Sequence, residues 1–98
     1  MTNTRHLRPQ IEDGQINMAM AATKTAIAAC LAHKGRGSFL SSHEILGALA
    51  EEFDELKDAV REDDLKQIAK ELLDIAGGAV FALACVNAET MHWPEQSP

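Results

Sequence analysis

The 98-residue sequence has no tyrosine, one tryptophan, three phenylalanines and three prolines. Its apolar filler is alanine, leucine and isoleucine, which favours helix, and no strand-like alternation or internal repeat occurs. Basic residues are also scarce, nine against fifteen acidic, for a net charge of −6. That balance works against nucleic-acid binding, which draws on cations to neutralise phosphates. A phosphorylated small molecule would need a divalent cation as mediator. The two cysteines, Cys30 and Cys85, match no zinc spacing and read as reduced core residues of a cytoplasmic protein. No apolar run is long enough for a membrane: Ile75 to Ala88 offers about 14 residues where roughly 20 are needed. Arg5, Arg8 and the segment Ile27-Ala28-Ala29-Cys30 loosely suggest an export signal. Against it, Glu12 and Asp13 precede the apolar stretch Met18 to Ala32, and Lys24 interrupts what should be an uncharged core.

What remains is a single helical domain over residues 1–98, of ordinary hydrophobic (46%) and charged (24%) content. A domain this small is only modestly stable alone, and pairing with a second copy is a common remedy. After a polar lead-in, Met1 to Leu7, a first helix is expected over about 10–33, with Pro9 in its first turn. Ile16, Met20, Thr23, Ile27 and Cys30 form its apolar stripe, and Gly35 and Gly37 close it. Ser41 and Glu44 have capping-box spacing and open a second helix over 42–61, with Leu46, Leu49, Phe53, Leu56 and Val60 on one face. Asp63 or Asp64 caps a third, over 64–90, with Leu65, Ile68, Leu72, Ile75, Ala79, Leu83 and Val86 along its stripe, followed by a tail over 92–98. A connection as short as Glu62 to Asp64 can only reverse direction, so the last two helices form an antiparallel hairpin.

The hairpin concentrates acid. The second helix carries Glu51-Glu52-Phe53-Asp54-Glu55, and the third carries Glu71-Leu72-Leu73-Asp74. About Asp63 as the turn, Glu55 and Glu71 lie at equal heights, as do Glu52 and Asp74. At 1.5 Å per residue those heights are about 12 and 16 Å from the turn. Within each helix the two acids are three apart and share a face. Four carboxylates therefore meet at the edge of an apolar seam, where they repel one another. Lys70 can reach Asp74 along its helix but leaves the other three bare. An oxygen-only set of this kind suits a hard cation, Mg²⁺ or Mn²⁺. Elsewhere the acids look like a solvated face, with pairs such as Asp54–Lys57 and Glu62–Lys66.

Glu-Glu-x-x-Glu on one helix, a short hairpin, then Glu-x-x-Asp on the next resembles the MazG-like all-α nucleoside triphosphate pyrophosphohydrolases. The matching residues are Glu51, Glu52, Glu55, Glu71 and Asp74, within a region from about Ser41 to Asn87. The resemblance implies Mg²⁺ held by Glu52, Glu55, Glu71 and Asp74. It also implies hydrolysis of NTP or dNTP to monophosphate and pyrophosphate, by water attacking the α-phosphorus. Glu51 is the residue expected to orient or deprotonate that water, with a place among the metal ligands as the alternative. A homodimer or homotetramer is implied too, completing a four-helix bundle between subunits.

The pattern departs from the family downstream. Nothing basic follows Lys70 except His92, so phosphate contacts fall to Lys24, Lys34 or Arg36. Asn87 is a further candidate for sugar or base, and Phe39 and Trp93 for an aromatic platform. Gly77-Gly78, just after Asp74, permits close approach of a helix or a ligand. The missing basic residues also keep a second reading open: a non-catalytic helical module for dimerisation or partner binding, or a nucleotide sensor.

Overall fold

The structure, a computed structural model, describes residues 8–92. The lead-in Met1 to Leu7, and Trp93 with the rest of the tail, lie outside the described residues. Three helices follow one another: α1 (Asp13–Lys34), α2 (Ser42–Arg61) and α3 (Leu65–Ala88), ending in a 3₁₀ turn over Thr90–His92. No strand occurs among the described residues.

The helix ends follow local chemistry. α1 starts three residues later than its proline suggests, because Glu12 and Gln15 form a reciprocal capping box. Gln15 Oε1 accepts from the Glu12 N–H at 2.9 Å, which leaves Pro9 outside the helix and Gly14 in its first turn. Gly35 closes α1 at φ +87°, and its N–H donates to the Leu31 carbonyl at 2.8 Å. Ser41 Oγ accepts from the Glu44 N–H at 3.2 Å, while Glu44 Oε1 accepts from Leu40 rather than from Ser41, one residue outside the expected box. The hairpin turns at Asp63, a non-glycine residue at φ +53°. Asp64 then caps α3, its Oδ1 accepting from the Gln67 N–H at 3.1 Å.

α2 and α3 pack as the expected antiparallel hairpin, and α1 lies chiefly against α3. A Cβ on Gly77 would meet Ile27 Cγ1 at 3.3 Å, and further on the Ser38 and Thr90 hydroxyls are hydrogen-bonded. α1 therefore climbs in the same sense as α3.

The core differs from the stripes read in sequence. Those stripes merge two seams that the structure separates. The inner seam of α2 is Ile45, Leu49, Glu52, Leu56 and Ala59; that of α3 is Ile68, Glu71, Ile75, Gly78, Ala82 and Cys85. Spacings of three and four bring each set onto one helix face. Leu46, Phe53 and Val60 instead point outward, at 68%, 52% and 57% exposure, as do Leu65, Leu72, Ala79, Leu83 and Val86. On α1, Ile16, Met20 and Cys30 are exposed too. Only Ala59, Ala82, Cys85 and Glu71 are buried among the described residues. The radius of gyration is 17.0 Å, against about 13 Å for a compact chain of this length, and the longest dimension is 60 Å. Much apolar surface thus stays uncovered in the single chain.

The expected Asp54–Lys57 pair forms at 3.8 Å, but Glu62–Lys66 does not close; Arg61 pairs with Asp58 instead, at 3.2 Å. α3, at 24 residues, is long and apolar enough to cross a membrane by length and composition alone, a test that core helices also pass. The sequence reading missed this by counting only the stretch after Asp74.

Candidate metal centre

Glu52 and Glu71 occupy central positions of the inner seam, one on each helix, instead of merely bordering it. One turn along, Glu55 and Asp74 complete the group. One carboxylate oxygen from each of Glu52, Glu55, Glu71 and Asp74 lies within 4.8 Å of the others. Nearby, Ala59 on α2 is buried and a Cβ on Gly78 of α3 would meet Leu49 Cδ2 at 3.3 Å, so both positions admit a close approach of the two helices.

Burial makes the group costly. Glu71 is 2% exposed, and its two oxygens have different surroundings. Oε2 accepts from the Gln67 amide, whereas Oε1 is buried without any hydrogen-bond partner. Glu52 Oε2 is likewise buried and unpartnered. An unsatisfied buried polar atom costs about 1–3 kcal/mol, and more when charged. Two such atoms on facing helices, both in one acidic group, require a cation or a proton to make sense of them. Burial holds the Glu52 carboxyl above its usual range, reinforced by the negative charges of Asp74 and Glu55.

One cation already stands at the edge. Lys70 Nζ donates to Asp74 Oδ2 at 3.0 Å, as its spacing predicts, and lies 3.8 Å from Glu71 Oε2. That hydrogen bond, with the charges of Asp74 and Glu71, raises the Lys70 pKa and keeps it protonated. A single exposed ammonium cannot offset four acids, and it leaves Glu71 Oε1 and Glu52 Oε2 untouched. The donor set fits a hard divalent ion: oxygen ligands only, drawn from two rigid helices, with orphaned oxygens already in place. Gln67 and Lys70 would act behind it, orienting Glu71 and Asp74.

The other expected site residues fare differently. Glu51 is exposed and lies outside the four-carboxylate group. Lys24 and Asn87 are exposed, and neither lines the cavity beside the acids. That cavity, of about 390 Å³, runs between α1, the loop after it and the hairpin. Glu52 and Asp74 open onto it, and Lys34, Phe39, Gly77 and Gly78 help to line it. The sequence reading missed Gln67, whose position one turn before Glu71 was the available signal, and Phe81, whose ring packs edge-to-face on Phe39 at 5.7 Å.

Comparison with known protein families, with curated proteins and with solved structures gives no match.

Proposed function

We propose that this chain is a Mg²⁺-dependent nucleoside triphosphate pyrophosphohydrolase of the MazG-like kind, with Mn²⁺ as an alternative ion. It would convert NTP or dNTP to the monophosphate and pyrophosphate and so tune a nucleotide pool. The observation that carries this reading is the buried, unpartnered Glu71 Oε1 inside a group of four convergent carboxylates. The family resemblance of the same residues supplies the reaction.

Glu52, Glu55, Glu71 and Asp74 would hold the ion. Bound there, Mg²⁺ supplies positive charge against the phosphate chain and lowers the pKa of water. Gln67 fixes Glu71 through Oε2, which leaves Oε1 free for the site. Lys70 fixes Asp74 and contributes a permanent positive charge beside the phosphates. Glu51, the exposed residue next to Glu52, would accept a proton from the attacking water.

The same reading includes a homodimer or homotetramer that completes a four-helix bundle. Leu46, Phe53 and Val60 on α2 recur every seven residues, as do Leu65, Leu72, Ala79 and Val86 on α3, and all are exposed. A seven-residue apolar repeat on paired helices is the pattern of an interhelical seam. A cytoplasmic location is part of the same reading.

The test is pyrophosphate release from a panel of NTPs and dNTPs, with and without Mg²⁺, for the wild type beside Glu71→Gln and Asp74→Asn. Release that requires Mg²⁺ and is lost in both variants is expected. Full activity in both variants, or no release from any nucleotide, overturns the reading and leaves a binding module.

A further inference from the structure

The cavity beside the carboxylates is asymmetric along its length. Asp74 and Glu52 stand at one end, and Phe81 lies seven residues beyond Asp74, about 10 Å along α3. Between them Gly77 and Gly78 form part of the wall. A Cβ on either would press within 3.3 Å of Ile27 or Leu49, so the glycine pair lets α1 and α2 close around the space. Phe39 and Phe81 supply aromatic surface. Among the described residues Lys34, at the C-terminal end of α1, is the one cationic side chain that lines the cavity, and it is exposed; Lys24 and Arg36 are not among the lining residues. About 390 Å³ is within the range of small-molecule sites, roughly 300–1,000 Å³.

We infer that this cavity takes the nucleoside of the substrate and that Lys34 selects bases presenting a carbonyl edge, guanine and uracil or thymine, over adenine and cytosine. The inference rests on the pyrophosphohydrolase reading above, which puts phosphates at the carboxylates. From there the cavity leads over the glycines to the aromatic end, a lining suited to a flat uncharged ring. Lysine carries donors and no acceptor. Its ammonium can donate to guanine O6 or uracil O4, as basic side chains do to guanine in DNA grooves. The adenine and cytosine amino groups would oppose it donor to donor.

Two measurements test this on the full chain. In the first, Mg²⁺-dependent pyrophosphate release is compared for ATP, CTP, GTP and UTP. GTP and UTP are expected to exceed ATP and CTP by about tenfold in kcat/KM, the equivalent of one hydrogen bond. Lys34→Gln, which offers both donor and acceptor, should level that ratio, and Lys34→Arg should keep it. An unchanged ratio in Lys34→Gln, or a wild-type preference for ATP, overturns the inference. The second measurement needs neither turnover nor metal. Cys30 is exposed and lines the same cavity, whereas Cys85 is buried, so alkylation in EDTA reports on Cys30. Guanosine and uridine should slow it in the wild type but not in Lys34→Gln; adenosine and cytidine should do so in neither. Protection in that pattern without pyrophosphate release would sustain the cavity's base preference and sink the enzyme reading. Release with no protection and no base preference would sink this inference alone.

Discussion

Replacing the Glu71 carboxylate by the isosteric amide should stabilise the metal-free protein and abolish its response to Mg²⁺. In Glu71→Gln the new amide carbonyl can keep the hydrogen bond from Gln67, and the NH₂ takes the place of the unpartnered Oε1. A donor then faces Glu52, Glu55 and Asp74 where an acceptor faced them before. At 4.8 Å, the outer limit of the group, each like-charge pair costs about 3.5 kcal/mol at an effective dielectric of 20 and about 0.9 in water. Lys70 and proton uptake by Glu52 relieve part of that repulsion, and the site opens to solvent on the Glu55 side. A net gain of about 1–3 kcal/mol remains, in line with the known cost of an unsatisfied buried group. For a domain of this size it corresponds to a rise in Tm of about 4–24 °C.

The wild type should overtake the variant once metal is added. Mg²⁺ at a hundred times its Kd adds about 2.7 kcal/mol to a protein that binds it only when folded. Thermal unfolding at one protein concentration, in EDTA and then across a Mg²⁺ titration, gives both comparisons. The expected result is a crossing: variant above wild type in EDTA, wild type at or above the variant in excess Mg²⁺. A variant less stable in EDTA, with its Mg²⁺ response intact, would refute the argument that Glu71 is held uncompensated for a cation.

Three further outcomes follow from the same geometry. Because the folded-state pKa of Glu52 is raised, the metal-free protein should lose stability as pH rises from the ordinary glutamate range through that raised value. The Mg²⁺-induced shift should move oppositely, growing as the proton leaves, which unfolding scans at several pH values would show; a flat profile in EDTA would contradict it. Phe53→Glu, on the outer seam, should shift sedimentation toward monomer without changing the far-ultraviolet helix signal; an unchanged sedimentation coefficient would count against that seam as an interface. Asp64→Ala should cost about 1 kcal/mol in chemical denaturation by removing the cap on α3, and no loss would mean that the turn at Asp63 holds without it.

The helices, the hairpin and the four acids were within reach of the sequence because each rests on local rules. Caps at Ser41 and Asp64 mark starts, Gly35 marks an end, and equal distance from Asp63 sets heights. The Lys70–Asp74 bond needed only a spacing of four. The seams were not within reach. Leu49 and Leu56 face inward while Phe53 and Val60 face out, and a wide apolar face looks the same in sequence whether one partner or two will cover it. Pro9 misled because proline marks a first turn only when a better cap does not follow, and Glu12 with Gln15 is that better cap. The cavity depends on how α1 lies against α3, which no pattern within α1 encodes.

The thinness of the core and the closeness of the acids have one cause. Part of the inner seam is small: Ala59, Gly78, Ala82 and Cys85 alternate with the larger Ile45, Leu49, Leu56, Ile68 and Ile75. Bulky side chains there would hold the helices apart, since interaxial distance follows the residues at the contact. Carboxylates from α2 and α3 could not then converge within 4.8 Å. A protein that draws its helices together around charge gives up apolar burial at the same seam, and the two buried orphan oxygens subtract further. That deficit is consistent with a cation at the inner seam and a neighbour on the outer one, where the large residues Leu46, Phe53, Leu65 and Leu72 are found. Under this account the two contributions add on opposite sides of the hairpin, so Phe53→Glu should lower stability by similar amounts with and without Mg²⁺. A Mg²⁺ shift that disappears with Phe53 would mean instead that the site is assembled only between subunits.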